Sequence, residues 1–194
     1  MGVQVAIVVG GGNIWRGKTG TQISRTRSDH IGMLATVINS LAIATGIENS
    51  GLKAVTMTAV PMQQIAEVYV RDKADEYLKN GKVVIIACGT GSPFFSTDTA
   101  AVLRAVELDA DVALFAKNID GVYTADPKKV PNAKKLDCIS YNDIIKNDLK
   151  VIDSTAAAMG RENNLPILIF GLDNPENIVH AVSGESVGTV VKNF

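Results

Sequence analysis

Between Gly89 and Thr99 the chain reads GTGSPFFSTDT, two glycines and a run of hydroxyls ahead of an alanine-rich helical pattern that begins at Ala100. Thr90, Ser92, Ser96, Thr97 and Asp98 bring donors and acceptors to this one loop. A loop of this kind at a helix start presents orphan backbone N–H groups and the positive end of the helix, which together bind phosphate. A second exit from a strand into glycine lies at the front, where VQVAIVV (3–9) runs into GGGNIWRG (10–17). Glycines there let the backbone approach a ligand because no Cβ intervenes. Arg16 adds a planar fork suited to phosphate oxygens. Two such exits imply two phosphate-bearing groups, and so nucleotide chemistry. Plainer readings stand beside these: a tight turn with a solvated arginine, core packing for Phe94 and Phe95, and an N-cap role for Thr97. The spacing is not the GxGxxG of dinucleotide folds.

Other polar residues add to the inventory. Asp29 stands near the start of a helical pattern, where a carboxylate is favoured by the dipole. It either caps that helix or accepts hydrogen bonds from the two hydroxyls of a ribose. In KNIDGVYTAD (117–126), Asp120-Gly121 signals a turn, Tyr123 either stacks on a base or packs, and Asp126 precedes Pro127 as a loop start. Only two histidines, His30 and His180, are present, so a histidine-based mechanism has little support. Cys88 and Cys138 provide no framework of bridges, and buried thiol packing is expected of both.

The elements that must position these residues alternate along the chain. Strands are expected at 3–9, 53–59, 83–88, 111–116, 166–171 and 187–191. Helices are expected at 29–46, 62–79 and 97–108, with shorter ones after Ser140, Asp153 and Pro175. The polar segment 117–137 breaks the rhythm. Strands without polar alternation are buried on both faces, which marks a mostly parallel central sheet sandwiched between helices, an α/β fold. Ligands in such sheets sit beyond the carboxyl ends of the strands, where both glycine motifs fall. With 194 residues, 46% of them apolar, and a net charge of −1, the chain suits one well-cored domain. That composition does not suit disorder or the coating of nucleic acid. No apolar run approaches the ~18 residues of a membrane span, no signal segment is read at the front, and the cytoplasm is the expected compartment.

Taken together, VVGGGNIWRG (8–17), SDHIGMLATVIN (28–39), GTGSPFFSTDTAAVLRAVEL (89–108), IDGVYTADPKK (119–129) and LKVIDSTAA (149–157) resemble the bacterial-type uridylate (UMP) kinases of the amino acid kinase superfamily. The resemblance runs in order through essentially the whole chain. It implies the three-layer amino acid kinase-like fold, with 1–110 mainly binding UMP and 111–194 mainly binding ATP. It also implies transfer of the γ-phosphoryl group of ATP to UMP, in pyrimidine nucleotide synthesis. By position, Gly11, Asp29 and the loop Thr90, Gly91, Ser92, Pro93, Phe94, Phe95, Ser96 and Thr97 correspond to the UMP site. Gly12 and Arg16 correspond to the place where the phosphates meet, and Tyr123 and Asp126, with Lys117 or Asn118, to the ATP contacts. Asp98 and Asp153 correspond to carboxylates that organise the transfer, with Arg16 beside them.

Further expectations follow from the same resemblance. Mg²⁺ would be held mainly through the nucleotide phosphates, with no protein metal site. Relatives are homohexamers under control by GTP and UTP, so a homo-oligomer is expected here, with no nucleic-acid or membrane partner. Relatives open with a strand and a lysine-bearing loop of pattern K-[LV]-S-G-E, whereas this sequence starts at the strand before GGGN. That lysine would contact the transferring group, with Asp153 as its partner. The chain as written is therefore expected to have little or no kinase activity. A non-catalytic nucleotide-binding or storage module on the same fold is the alternative.

Overall fold

The computed structural model describes residues 1–16, 23–125, 127 and 129–194. The chain forms two compact units, Met1–Arg104 and Ala105–Phe194, with the boundary inside a helix. Both are α/β, and parallel pairings dominate, as the apolar runs predict.

The first unit contains β1 (Ala6–Val8), α1 (Arg25–Asn49), β2 (Ala54–Thr58), β3 (Glu67–Val68), α2 (Arg71–Lys79), β4 (Val83–Ala87) and most of α3 (Thr97–Glu107). Its strands make one parallel sheet in the order β1-β4-β2-β3. VVIIA of β4 is central and almost wholly buried, which is why its run carries no polar alternation. Val8 pairs with Ile86 in parallel register, so the glycine exits after β1 and β4 leave the sheet side by side at its carboxyl end. Sequence spacing alone set these exits 79 residues apart (10 to 89); the register makes them neighbours.

Three expectations for this unit are corrected. The buried strand over 3–9 shrinks to Ala6–Val8 at a sheet edge, with Val3 and Val5 exposed. The helix over 62–79 begins only at Arg71, because Glu67–Val68 pairs with β2 as an edge strand. The helix over 29–46 extends to Arg25–Asn49 and is capped by Ser24, whose hydroxyl accepts the Arg27 N–H. Asp29 therefore sits a full turn inside α1 and is not its cap. By length and composition α1 also meets the test for a membrane span, with mean hydropathy 1.5 over 18 residues. The sequence reading missed this because Thr, Ser, Asn and Gly interrupt the apolar run while charges are few. Only 22% of that stretch is buried, Ala35 and Val37 within it, so α1 packs along one face and leaves apolar residues on the other exposed.

The second unit contains β5 (Ala113–Lys117), β6 (Val122–Tyr123), β7 (Lys135–Leu136), β8 (Cys138–Ser140), α4 (Tyr141–Lys146), α5 (Ser154–Glu162), β9 (Ile167–Gly171), α6 (Asn177–Val182) and β10 (Thr189–Lys192). Its sheet runs β5-β9-β10-β8, parallel except for the β9/β10 pair. The polar segment 117–137 is not structureless: β6 and β7 pair as an antiparallel ribbon. Thr189 pins that ribbon, its hydroxyl accepting the Val122 N–H at 2.8 Å and donating to the Leu136 carbonyl at 2.5 Å. Ser140 caps α4 through the Asp143 N–H, as the capping-box spacing predicts. Cys88 is buried as expected, but Cys138 is exposed, because it faces outward on β8 while the next residue, Ile139, faces in.

Candidate active site

Consider first the turn after β1. The Gly11 carbonyl accepts from the N–H groups of Ile14 (3.0 Å) and Trp15 (2.9 Å), closing a tight turn. α1 grips it from outside: Asn39 donates to the Gly10 carbonyl at 2.7 Å, and the Trp15 indole donates to the buried Ser28 hydroxyl at 2.9 Å. A Cβ on Gly11 would lie 2.7 Å from the Gly32 carbonyl and 2.8 Å from the Ala35 Cβ. The need for glycine at this position is thus set by helix packing. Gly12 is exposed and meets only the Arg16 side chain, so it is the glycine that leaves its backbone approachable. Arg16, also exposed, donates to the Gly12 carbonyl at 3.1 Å.

The turn after β4 is held by the same helix. Two side-chain-bearing residues here adopt left-handed backbone, Cys88 (φ 63°) and Phe94 (φ 72°), a conformation that needs compensation. Each has its N–H held by α1. The Cys88 N–H donates to the Thr36 hydroxyl at 2.8 Å, and the Phe94 N–H donates to Asp29 Oδ2, also at 2.8 Å. Asp29 and Thr36 are seven residues apart, two helical turns, and so share one face of α1. Within the loop, Gly91 (φ 79°) approaches Ala59 closely, and its N–H donates to the Cys88 carbonyl. Burial of Cys88 pushes its thiol above the ordinary range.

The loop then enters α3. Ser96, not Thr97, is the cap, since its hydroxyl accepts the Thr99 N–H at 3.1 Å. Thr97 is the first helical residue, close to Gly10 of the neighbouring exit. Asp98 follows in the first turn, favoured by the dipole. Phe94 and Phe95 are 66% and 52% exposed, which overturns the core reading of the pair. The left-handed backbone at Phe94 turns that ring outward, and the Arg25 guanidinium lies 5.5 Å from its centroid. Thr90, Ser92 and Pro93 complete the loop, with the Thr90 hydroxyl accepting the Ser92 N–H at 3.2 Å.

In the second unit, a cleft of about 920 Å³ opens beside β5, β6 and the end of β9. Lys117, Asn118 and Tyr123 all line it. Lys117 donates to the Val151 carbonyl at 2.6 Å, which fixes the ammonium against one wall. The Tyr123 phenol donates to Asp120 at 3.0 Å, and this bond to a carboxylate raises its pKa. Gly171, at the end of β9, also lines it. Asp126 lies outside the described residues. Asp153 caps α5, accepting the Ala156 N–H at 2.9 Å. Among the described residues no three of His, Cys, Asp and Glu gather to hold a metal ion.

Sequence reasoning missed Arg25 and Thr36. The i, i+4 spacing of Arg25 and Asp29 was a usable signal for the first. For Thr36 there was none, since its partner Cys88 is 52 residues away.

Comparison with known proteins places these features in a family. Residues 1–171 match the amino acid kinase family. The fold is similar to that of a UMP kinase from Bacillus anthracis, with 40% identity and a TM-score of 0.94 over 99% of this chain and 80% of that one. A UMP kinase from Ureaplasma parvum is similar at 35% identity and TM-score 0.92, covering 97% and 82% of the two chains. A uridylate kinase from Archaeoglobus fulgidus shares 34% identity at TM-score 0.74, covering 97% and 85%.

Proposed function

The chain belongs to the amino acid kinase family, and on that footing we propose that it is a UMP kinase, moving the γ-phosphoryl group of ATP onto UMP to give UDP. The observation that carries the reading is the glycine-hydroxyl loop 89–97, held at the head of α3 by an α1 carboxylate. The first unit takes the acceptor. Asp29 meets the ribose, Gly11 and the loop Thr90 to Thr97 complete the UMP site, and Gly12 and Arg16 serve the phosphates of both nucleotides. The second unit takes the donor, with Tyr123 and Lys117 or Asn118, all lining the cleft, as contacts for its base and ribose. Asp98 and Asp153 organise the transferring group.

The chemistry asks little of side-chain bases. A nucleoside monophosphate has a second pKa near ~6, so its attacking oxygen is already anionic at neutral pH. Rate then depends on alignment and on positive charge around the transferring group. Arg16 contributes charge from the chain, and Mg²⁺ held on the ATP phosphates would supply more. The lysine-bearing loop with which relatives open is the further source expected, so turnover by the chain as written is what the assay below decides. Two free cysteines suit a cytoplasmic enzyme. Leu34, Ile38 and Leu41 leave an exposed apolar face on α1, which a second copy of the chain would cover. GTP and UTP as effectors of such an assembly belong to the same reading.

A coupled assay of UDP formation from UMP and ATP·Mg²⁺ tests this reading, with CMP, AMP and small carboxylates as rival acceptors. UMP as the preferred acceptor supports it. Tight UMP binding without turnover replaces it with a non-catalytic nucleotide-binding module. Equal, weak handling of all acceptors refutes the UMP site.

A further inference from the structure

Resting on the UMP-site reading above, we propose that Arg25 is a positioning residue for the acceptor: through Asp29 it sets the conformation of the 89–97 loop. Arg25 Nε lies 2.9 Å from Asp29 Oδ1 and 2.8 Å from Oδ2, so one donor spans both oxygens and fixes the plane of the carboxylate. Oδ2 then faces the Phe94 N–H across 65 residues of sequence, at 2.8 Å. The same guanidinium lies over the Phe94 ring. Arg25 therefore reaches Phe94 twice, once through the carboxylate and once directly.

Phe94 is where such help is needed. Its backbone is left-handed and its ring is exposed, so neither local sterics nor core packing keeps it in place. The loop between Gly89 and Ser96 includes glycines at two positive-φ positions, which leave it many alternative conformations. A charge-assisted bond from an oriented carboxylate selects one of them. An ordinary exposed i, i+4 pair would do no more than add slightly to helix stability. What separates this pair from that case is the low exposure of the Asp29 side chain, 13%, and its second partner on the loop.

The test uses Arg25→Ala and Arg25→Lys in the full chain, with Lys79→Ala, which breaks another i, i+4 pair with Asp75, as control. Exchange of the Phe94 amide is followed by NMR without ligand. UMP binding is followed by calorimetry and by fluorescence of Trp15, the single tryptophan, which is anchored beside this turn of α1. Expected for Arg25→Ala are Phe94 exchange faster by about tenfold and a UMP dissociation constant raised by a similar factor. ATP affinity should stay within about twofold, and Arg25→Lys should recover part of the loss. Phe94 exchange and UMP affinity both unchanged, as in Lys79→Ala, would overturn the proposal. If the unaltered chain binds no UMP, the acceptor assignment fails, and the exchange rate of Phe94 still decides the role of Arg25.

Discussion

Asp29 on α1 and Phe94 in the loop after β4 are joined by a 2.8 Å bond from backbone N–H to carboxylate, so the first helix templates the loop from outside. This carboxylate serves a loop before it serves any ligand. Asp29→Ala removes the acceptor and leaves Arg25 without its partner. A hydrogen bond to a charged group contributes about 1.5–3 kcal/mol. UMP affinity should therefore fall by roughly 10- to 100-fold, as read by calorimetry. Asp29→Asn retains an oxygen for the Phe94 N–H and should lose less. Equal affinity in all three proteins would remove Asp29 from the acceptor site.

Much of this arrangement could be read in the sequence, for a physical reason. Buried parallel strands such as VVIIA announce themselves by composition, and the glycine exits mark the carboxyl ends where ligands sit. The clamps could not be read. Thr36 and Asp29 act across 52 and 65 residues of chain, and nothing local in a threonine or aspartate signals a distant amide. The phenylalanine pair misled because hydrophobicity predicts burial, whereas both rings are exposed and Phe94 sits in a left-handed turn that its residue type does not announce. Short edge strands such as Glu67–Val68 carry no period and were absorbed into a helix.

Gly11→Ala tests which role of that glycine dominates. The added methyl would sit 2.8 Å from the Ala35 Cβ and 2.7 Å from the Gly32 carbonyl, both on a helix that cannot yield locally. Overpacking of this kind costs about 1–3 kcal/mol. The urea midpoint should drop accordingly at unchanged m-value. Gly12→Ala, in open surroundings, should keep its midpoint while nucleotide binding weakens.

The two thiols should react unequally. Cys138 is exposed, whereas Cys88 is buried and its thiol is raised by desolvation, which suppresses the reactive thiolate. A disulfide reagent near neutral pH should count one thiol in the native protein and two in denaturant. Rapid modification of Cys88 in the native protein would show that the loop base opens readily.

Leu34, Ile38 and Leu41 are spaced by four and three residues along α1 and remain exposed at 55%, 58% and 38%. That spacing suits the packing of one helix against another. Sedimentation should show an oligomer for the unaltered chain and a smaller species for Leu34→Glu with Ile38→Glu. A monomer in both cases would leave the stripe without a second copy.

Tyr141 gives a pH dependence with a definite sign. Its side chain is wholly buried, its phenol donates to the Leu165 carbonyl, and it lies close against Gly160, where a Cβ would collide with the ring. Burial raises its pKa well above the ordinary 10.0. Above pH ~10 the unfolded chain gives up this proton while the folded chain keeps it, so the folded state holds more protons there. Stability should be flat with respect to this group below that pH, then fall by up to about 1.4 kcal/mol per unit as pH rises toward the folded value. Tyr141→Phe should lose that slope, while starting lower by about 1–3 kcal/mol because the Leu165 carbonyl is left unsatisfied. Tyr123 is shifted the same way by Asp120 but is exposed to solvent screening, so Tyr123→Phe should alter the slope little. Denaturant titrations from pH 8 to 11 check all three; an unchanged alkaline slope in Tyr141→Phe would mean that another buried acid governs it.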